Sequence, residues 1–144
     1  NVCVVKKGKE DMVKSADDLK NLKVGVQSGT TQADYVTNKL GITSAKQLKR
    51  VPDLMMDLQN GNIDVIVTGK NVANINIGQY DGLAIGKTTV GQEVAESTAA
   101  AIKKSTDDCD NTSLVKSIND TIKRLKDDNK MDGYMQEALK LAEK

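Results

Sequence analysis

The chain has 144 residues and carries 21 basic and 20 acidic side chains, for a formal net charge of +1. This length supports one compact domain with a hydrophobic core, whereas the near-neutral charge and an aromatic content of 2% argue against a nucleic-acid-binding surface. The sequence contains no histidine, which excludes Ser-His-Asp and Cys-His catalysis and removes the commonest zinc ligand. We therefore expect no metal, no cofactor and no nucleic-acid partner.

Short strands and short helices alternate through the first part of the chain. Strands are predicted at residues 2–6, 24–27, 63–67 and 83–85, with a weaker candidate at 47–51. Helices are predicted at residues 15–19, 33–40, 52–60 and 72–77, and the Met and Leu side chains of the third are expected to be core. Such alternation with short connections predicts an α/β fold with βαβ units in a parallel sheet.

The last part of the chain has a different pattern. Residues 98–103 regain strand character, residues 105–113 form a polar turn, and two amphipathic helices follow. Because such helices are stabilised by covering their apolar faces, we expect both to pack against another surface. The apolar face of the first helix contains Leu114, Val115, Ile118, Ile122 and Leu125. The apolar face of the second contains Met131, Met135, Ala138, Leu139 and Ala142.

The two cysteines and the hydropathy profile say little about the cellular compartment. Cys3 and Cys109 lack metal-type spacing and are either isolated thiols or one long-range disulfide. No apolar run approaches the length of a membrane span, and the N-terminus is not a signal peptide. If the protein is exported, we expect its signal to have been removed already.

The stretch from Ser28 to Gln32, Ser-Gly-Thr-Thr-Gln, joins a predicted strand to a predicted helix. Unpaired backbone N–H groups and the positive end of the helix dipole favour an anion there, and the small hydroxyl side chains can join the contact. A simpler interpretation is that Thr31 and Asp34 form a capping-box variant without any ligand. The local pattern by itself favours this cap.

A second strand-to-helix junction follows residues 63–67 and contains Gly69 and Lys70. Because the carboxyl ends of parallel strands meet at one edge of a sheet, we expect both junctions at the same edge. Open α/β sheets place their ligands at this edge. The alternative is that Gly69 is only a turn glycine.

Several stretches in order resemble the polar amino-acid-binding proteins of bacterial ABC importers, which have the type II periplasmic-binding-protein fold. These stretches are Ser-Ala-Asp-Asp-Leu at 15–19, Lys-Val-Gly-Val-Gln-Ser-Gly-Thr-Thr-Gln at 23–32 and Leu-Gln-Asn-Gly-Asn-Ile-Asp-Val-Ile-Val at 58–67. Residues 126–134, Lys-Asp-Asp-Asn-Lys-Met-Asp-Gly-Tyr, are similar to the helical ending of that family. The resemblance favours a ligand anchor over a simple cap at Ser28.

Family members have two lobes joined by two hinge strands, and they trap a ligand as the lobes close. The resemblance implies that residues 1–104 form the second, ligand-binding lobe with both hinge strands. It also implies that residues 105–144 form a helical segment that packs on the first lobe. Most of that first lobe is missing, so we interpret the chain as a fragment rather than as one half of a two-chain assembly. Its uncovered surfaces would favour dimerisation or domain swapping in isolation.

The resemblance also implies a division of the ligand site. In the family, the first lobe supplies an arginine that pairs with the ligand carboxylate. It also supplies aromatic residues that pack against the side chain of the ligand. The second lobe contributes the turn and the N-terminal end of the helix that follows it, which we call the helix mouth. In this chain the helix mouth is Ser28, Gly29, Thr30, Thr31 and Gln32.

One position departs from the family pattern. The family usually has an acidic residue for the ligand ammonium where this chain has Gly69, followed by Lys70. Burying an ammonium group without a carboxylate partner costs free energy. Three alternatives would therefore explain the absence of an acidic residue at position 69. Glu93 or Glu96 supplies the charge, the ligand lacks a free amine, or binding has been lost.

The resemblance implies a non-enzymatic, extracytoplasmic solute-binding component, either periplasmic or a cell-surface lipoprotein. Such a component delivers a small polar, amino-acid-like ligand to a membrane permease. A dehydratase-type enzyme with this fold is an alternative, but Gly69 and the lack of histidine leave it without an evident acid or base. A ligand-sensing domain of a receptor is a further alternative.

Overall fold

The computed structural model describes residues 1–91, 99–106 and 109–142. The chain divides into two compact units, Asn1–Glu93 and Val94–Lys144. The first unit contains the sheet and the second contains the two long helices.

A five-stranded sheet forms the centre of the first unit, in the order β3-β2-β4-β1-β5. β2 pairs in parallel with both β3 and β4, as predicted. β1 runs antiparallel to β4 and β5, so the sheet is mixed rather than parallel throughout. A central strand is buried on both faces whether it runs parallel or antiparallel to its neighbours. Its apolar sequence therefore does not reveal its direction. The strands are β1 (Val2–Lys6), β2 (Val24–Gln27), β3 (Lys46–Leu48), β4 (Val65–Thr68) and β5 (Leu83–Thr89).

Four short helical segments accompany these strands, close to the predicted positions. The first, Ala16–Asn21, is a 3₁₀ helix, in which Asp18 Oδ2 accepts hydrogen bonds from the N–H groups of Lys14 and Ser15. The others are α1 (Thr31–Asp34), continued by a π-helical turn (Tyr35–Lys39), then α2 (Val51–Asn60) and α3 (Lys70–Ile77).

Apolar side chains cover both faces of the sheet. Along β1, Cys3 and Val5 join the cluster that contains α1, whereas Val2 and Val4 join the cluster that contains α2. The predicted core role of the Met and Leu stripe on α2 is confirmed, since Leu54, Met55 and Leu58 are fully buried.

Both cysteines are free thiols in the structure. Cys3 lies in the core, and its burial raises the pKa of the thiol to about 12. Cys109 is exposed.

The second unit contains α4 (Thr112–Asp127) and α5 (Lys130–Ala142), which contact each other. Residues 99–103 form no strand, contrary to the prediction, and they pair with no other strand among the described residues; Thr98 lies outside that part of the chain. A strand needs a neighbouring strand to accept and donate its backbone hydrogen bonds. A local sequence pattern does not show whether such a neighbour is present. Within the described ranges, no helix has the length and apolar character needed to cross a bilayer.

The apolar residues of these two helices remain largely exposed. Leu114 on α4 and Met135 on α5 are each 48% exposed, and Tyr134 is 55% exposed. Two surface ion pairs, Lys116–Asp120 and Lys123–Asp127, contribute little in water. The stabilising surface expected for an amphipathic helix is therefore missing from most of these faces.

We predict that Gly25→Ala destabilises the first unit. A Cβ at Gly25 in β2 would lie 2.5 Å from Ile63 Cδ1 and 3.0 Å from Leu54 Cδ2, and both of those side chains are buried. Such overpacking costs about 1–3 kcal/mol, measured as the free energy of unfolding in urea. Gly78→Ala is the control, because its Cβ would meet no atom within 4 Å. Equal stabilities of the two variants would contradict the close packing on β2.

Candidate functional site

The two predicted strand-to-helix junctions lie at one edge of the sheet. β2 and β4 are parallel neighbours with Val24 opposite Val65 and Val26 opposite Val67. The chain therefore leaves β2 at Ser28 and β4 at Gly69 on the same side, which confirms the predicted common edge. We call the residues 28–32 and 69–70, with Asn1, the ligand edge.

A tight turn joins β2 to α1. Ser28 N–H donates to the Leu48 carbonyl at 2.9 Å, which ties the turn to β3. Gly29 has a φ of +75°, a left-handed conformation that favours glycine. The chain thus reverses direction within a few residues and begins the helix at Thr31.

Thr30 caps α1. Its Oγ1 accepts from Ala33 N–H at 3.2 Å and donates to the Gln27 carbonyl at 2.7 Å. The predicted cap by Thr31 and Asp34 is therefore wrong by one residue. Thr31 is already helical, and Asp34 Oδ1 instead accepts from Asn38 Nδ2 at 2.6 Å.

This shift leaves several hydrogen-bond donors unused at the helix mouth. The backbone N–H groups of Gly29, Thr30, Thr31 and Gln32 reach no acceptor in the described part of the chain. Thr31 is exposed, and its hydroxyl group has no partner among those residues. Donors at the positive end of a helix dipole favour a carboxylate or another anion.

Sequence reasoning missed Asn1, which no local pattern marks as a site residue. Gln32 Nε2 donates to Asn1 Oδ1 at 3.0 Å. Val2 lies opposite Thr68 in the antiparallel pairing of β1 with β4, so Asn1 lies level with Gly69. Only the placement of β1 between β4 and β5 brings Asn1 to this edge.

The second junction is the amino end of α3. Gly69 is buried and caps this helix with φ −70° and ψ 146° but without a side-chain hydrogen bond. Lys70 is the exposed first residue of the helix, where its charge is unfavourable beside the helix dipole. The N–H groups of residues 70–72 have no acceptor within the described ranges.

No family model matches the chain. The L-cystine-binding protein TcyJ of Escherichia coli (strain K12) is 32% identical over 127 residues, which cover 87% of this chain and 44% of TcyJ. AbpA, an amino acid ABC transporter substrate-binding protein of Streptococcus pneumoniae, was crystallised bound to L-arginine. It matches with a TM-score of 0.75 and 26% identity over 99% of this chain and 58% of AbpA. Domain 2 from TmArgBP matches with a TM-score of 0.56 and 25% identity over 63% of this chain and 98% of that domain.

The homologues of this chain are amino-acid-binding proteins of ABC transporters. They are binding proteins rather than enzymes. The mixed sheet with its helices fits one lobe of a type II periplasmic binding protein. The chain spans about half the length of the curated relatives it matches.

Two predicted site residues, Glu93 and Glu96, lie outside the described residues. Gly91, the last described residue before them, lies close to Asn1 and Tyr35. Burial raises the pKa of the Tyr35 phenol, so this group is neutral at physiological pH. Across the described ranges, no three Cys, Asp or Glu side chains are grouped as a metal site requires.

We predict that Thr30→Ala lowers the stability of the first unit, whereas Thr31→Ala leaves it nearly unchanged. Loss of the Thr30 cap costs about 1 kcal/mol in the free energy of unfolding, measured in urea. Thr31 is the matched control, since it is the same residue type one position along and makes no cap hydrogen bond. A larger loss of stability in Thr31→Ala than in Thr30→Ala would show that Thr31, and not Thr30, caps the helix.

Proposed function

We propose that the chain is part of the extracytoplasmic solute-binding component of an amino-acid ABC transporter. In this proposal, residues 1–104 form the second lobe of a receptor that traps a small polar ligand and delivers it to a membrane permease. The observation that carries it is the row of N–H donors at Gly29–Gln32, which find no acceptor among the described residues. They lie at the sheet edge of a chain homologous to amino-acid-binding proteins.

The helix mouth would hold the ligand carboxylate. Ser28, Gly29, Thr30, Thr31 and Gln32 line this position, and Thr31 adds a free hydroxyl group to the backbone donors. Two or three charge-assisted hydrogen bonds contribute about 1.5–3 kcal/mol each, a useful part of the roughly 8 kcal/mol of a micromolar complex. The remaining affinity would come from the first lobe, so we expect the half-site by itself to bind weakly.

The ligand ammonium would lie near Gly69 and Lys70. Neither side chain offers a carboxylate, and the charge of Lys70 repels a second cation. We propose that Glu93 or Glu96 supplies the negative charge in the closed receptor, or that the ligand lacks a free amine.

The C-terminal segment 105–144 would complete the first lobe. The exposed apolar faces of α4 and α5, which include Leu114, Met131 and Met135, support this role because an amphipathic helix needs a covering surface. In this interpretation, the missing surface belongs to the longer protein of which the chain is a fragment.

We also propose that the protein is non-enzymatic and acts outside the cytoplasm. Its homologues are binding proteins, and the ligand edge offers hydrogen-bond donors rather than a described acid–base pair. The dehydratase-type alternative has no specific observation in its favour.

The proposal is tested by ligand binding to the complete protein that contains this chain. Thermal shift and calorimetry are run with the standard L-amino acids, L-cystine and their N-acetylated forms. Stabilisation by one class of these compounds, saturating as a single site, is the expected result. A protein that none of them stabilises would contradict the proposal.

In the same protein, Thr31→Ala should weaken binding of the stabilising amino acid by about 10- to 100-fold, as expected for a lost hydrogen bond to a charged group. Calorimetry measures the dissociation constant. Thr31→Ser keeps the hydroxyl group and should bind within about threefold of the wild type, a change below 1 kcal/mol. Unchanged affinity of Thr31→Ala would remove Thr31 from the ligand anchor.

Gly69→Asp should raise affinity for amino acids with a free ammonium group. The φ and ψ of Gly69 suit an N-cap aspartate, whose carboxylate would face the ligand ammonium. Gly69→Asn is the matched control, because it has the same size and capping ability without the charge. If the Gly69→Asp and Gly69→Asn variants bind free amino acids with equal affinity, and N-acetylated ones likewise, no ligand ammonium lies near residue 69.

A further inference from the structure

Asn1 lies at the centre of the ligand edge, between the two strand-to-helix junctions. β1 is the strand between β4 and β5, and Val2 is opposite Thr68 on one side and Thr89 on the other. Asn1 is one residue further towards this edge. Its carbonyl accepts from Val90 N–H at 2.9 Å, which fixes its backbone to the end of β5.

The Asn1 side chain is bonded to the helix mouth. Its Oδ1 accepts from Gln32 Nε2 at 3.0 Å, and both side chains are half-buried. The hydrogen bond joins the start of β1 to the second residue of α1, across 31 positions of sequence. No local backbone preference produces such a contact.

Close packing holds the other side of Asn1. A Cβ at Gly91 would lie 3.2 Å from Asn1 Nδ2 and 3.0 Å from Tyr35 Cζ, so both side chains lie close to the Gly91 backbone. Gly91 also has a φ of +82°, which a larger residue rarely adopts. The Gly91 backbone therefore limits the space next to the Asn1 amide.

Gln32 gains a fixed orientation from this contact. A glutamine side chain loses considerable rotamer entropy when a ligand orders it, and a side chain already held in place avoids that loss at binding. After donating one N–H to Asn1, the amide still has a second N–H and its Oε1, which have no partner in the described part of the chain. Both groups therefore remain available to a ligand next to Asn1.

We propose that Asn1 is a positioning residue of the ligand site, which holds the Gln32 amide in its ligand-binding orientation. The role is indirect, since Asn1 acts through Gln32 rather than through the ligand. The inference rests on the proposed function and deepens it, because it names a residue that sets the affinity of the same site.

The test uses the complete protein and the panel of standard L-amino acids and L-cystine, with calorimetric dissociation constants. Asn1→Leu removes the acceptor at similar size and should weaken binding of the stabilising amino acid by about three- to tenfold, the effect of one ordinary hydrogen bond. Asn1→Asp keeps an oxygen acceptor for Gln32 Nε2 and should bind more tightly than Asn1→Leu. Urea unfolding of the ligand-free variants reports their stability separately.

A double-mutant cycle with Gln32→Leu distinguishes positioning from a general structural role. Once Gln32 is removed, Asn1→Leu should change affinity by less than about twofold, because the interaction it supports no longer exists. Additive effects, or equal weakening by Asn1→Leu and Asn1→Asp, would overturn the inference while the binding function stands. A wild-type protein that binds no amino acid of the panel would overturn the proposed function and this inference with it.

Discussion

The parallel pairing of β2 with β4 is the constraint on which both the core and the ligand edge depend. The register that sets Val26 opposite Val67 also brings the ends of both strands to one level of the sheet. Gly25 makes the pairing compatible with tight packing, because the missing Cβ leaves room for Ile63 and Leu54 against β2. The same strands therefore bury the core and deliver two helix mouths to a common edge.

The chemistry of that edge follows from unused backbone groups rather than from reactive side chains. Thr30 Oγ1 caps the helix, and within the described residues the Thr31 hydroxyl group and the N–H groups of residues 29–32 have no hydrogen-bond partner. The second junction of the edge contains Gly69 and Lys70, and neither residue carries a carboxylate. Within the described residues, the edge therefore presents hydrogen-bond donors at one junction and no acidic side chain at the other.

The two units differ in how their apolar residues are covered. In the first unit, strand residues such as Val4 and Ile66 are fully buried between helices on both faces. In the second, Leu114 and Met135 remain half exposed on helices that contact each other. Since helices of this length gain most of their stability from packing, α4 and α5 are expected to depend on a further surface.

The sequence by itself determined the alternation of strands and helices, the buried stripe of Leu54, Met55 and Leu58 on α2, and the common edge for Ser28 and Gly69. These features follow from local periodicity, capping and the geometry of parallel strands, which short segments encode. Only the tertiary structure decided the antiparallel insertion of β1, because an apolar central strand has the same pattern in either direction. That insertion brings Asn1 to Gln32, a contact that depends on long-range topology and has no local signal. The cap at Thr30 rather than Thr31 likewise depended on where the turn at Gly29 lets the helix begin.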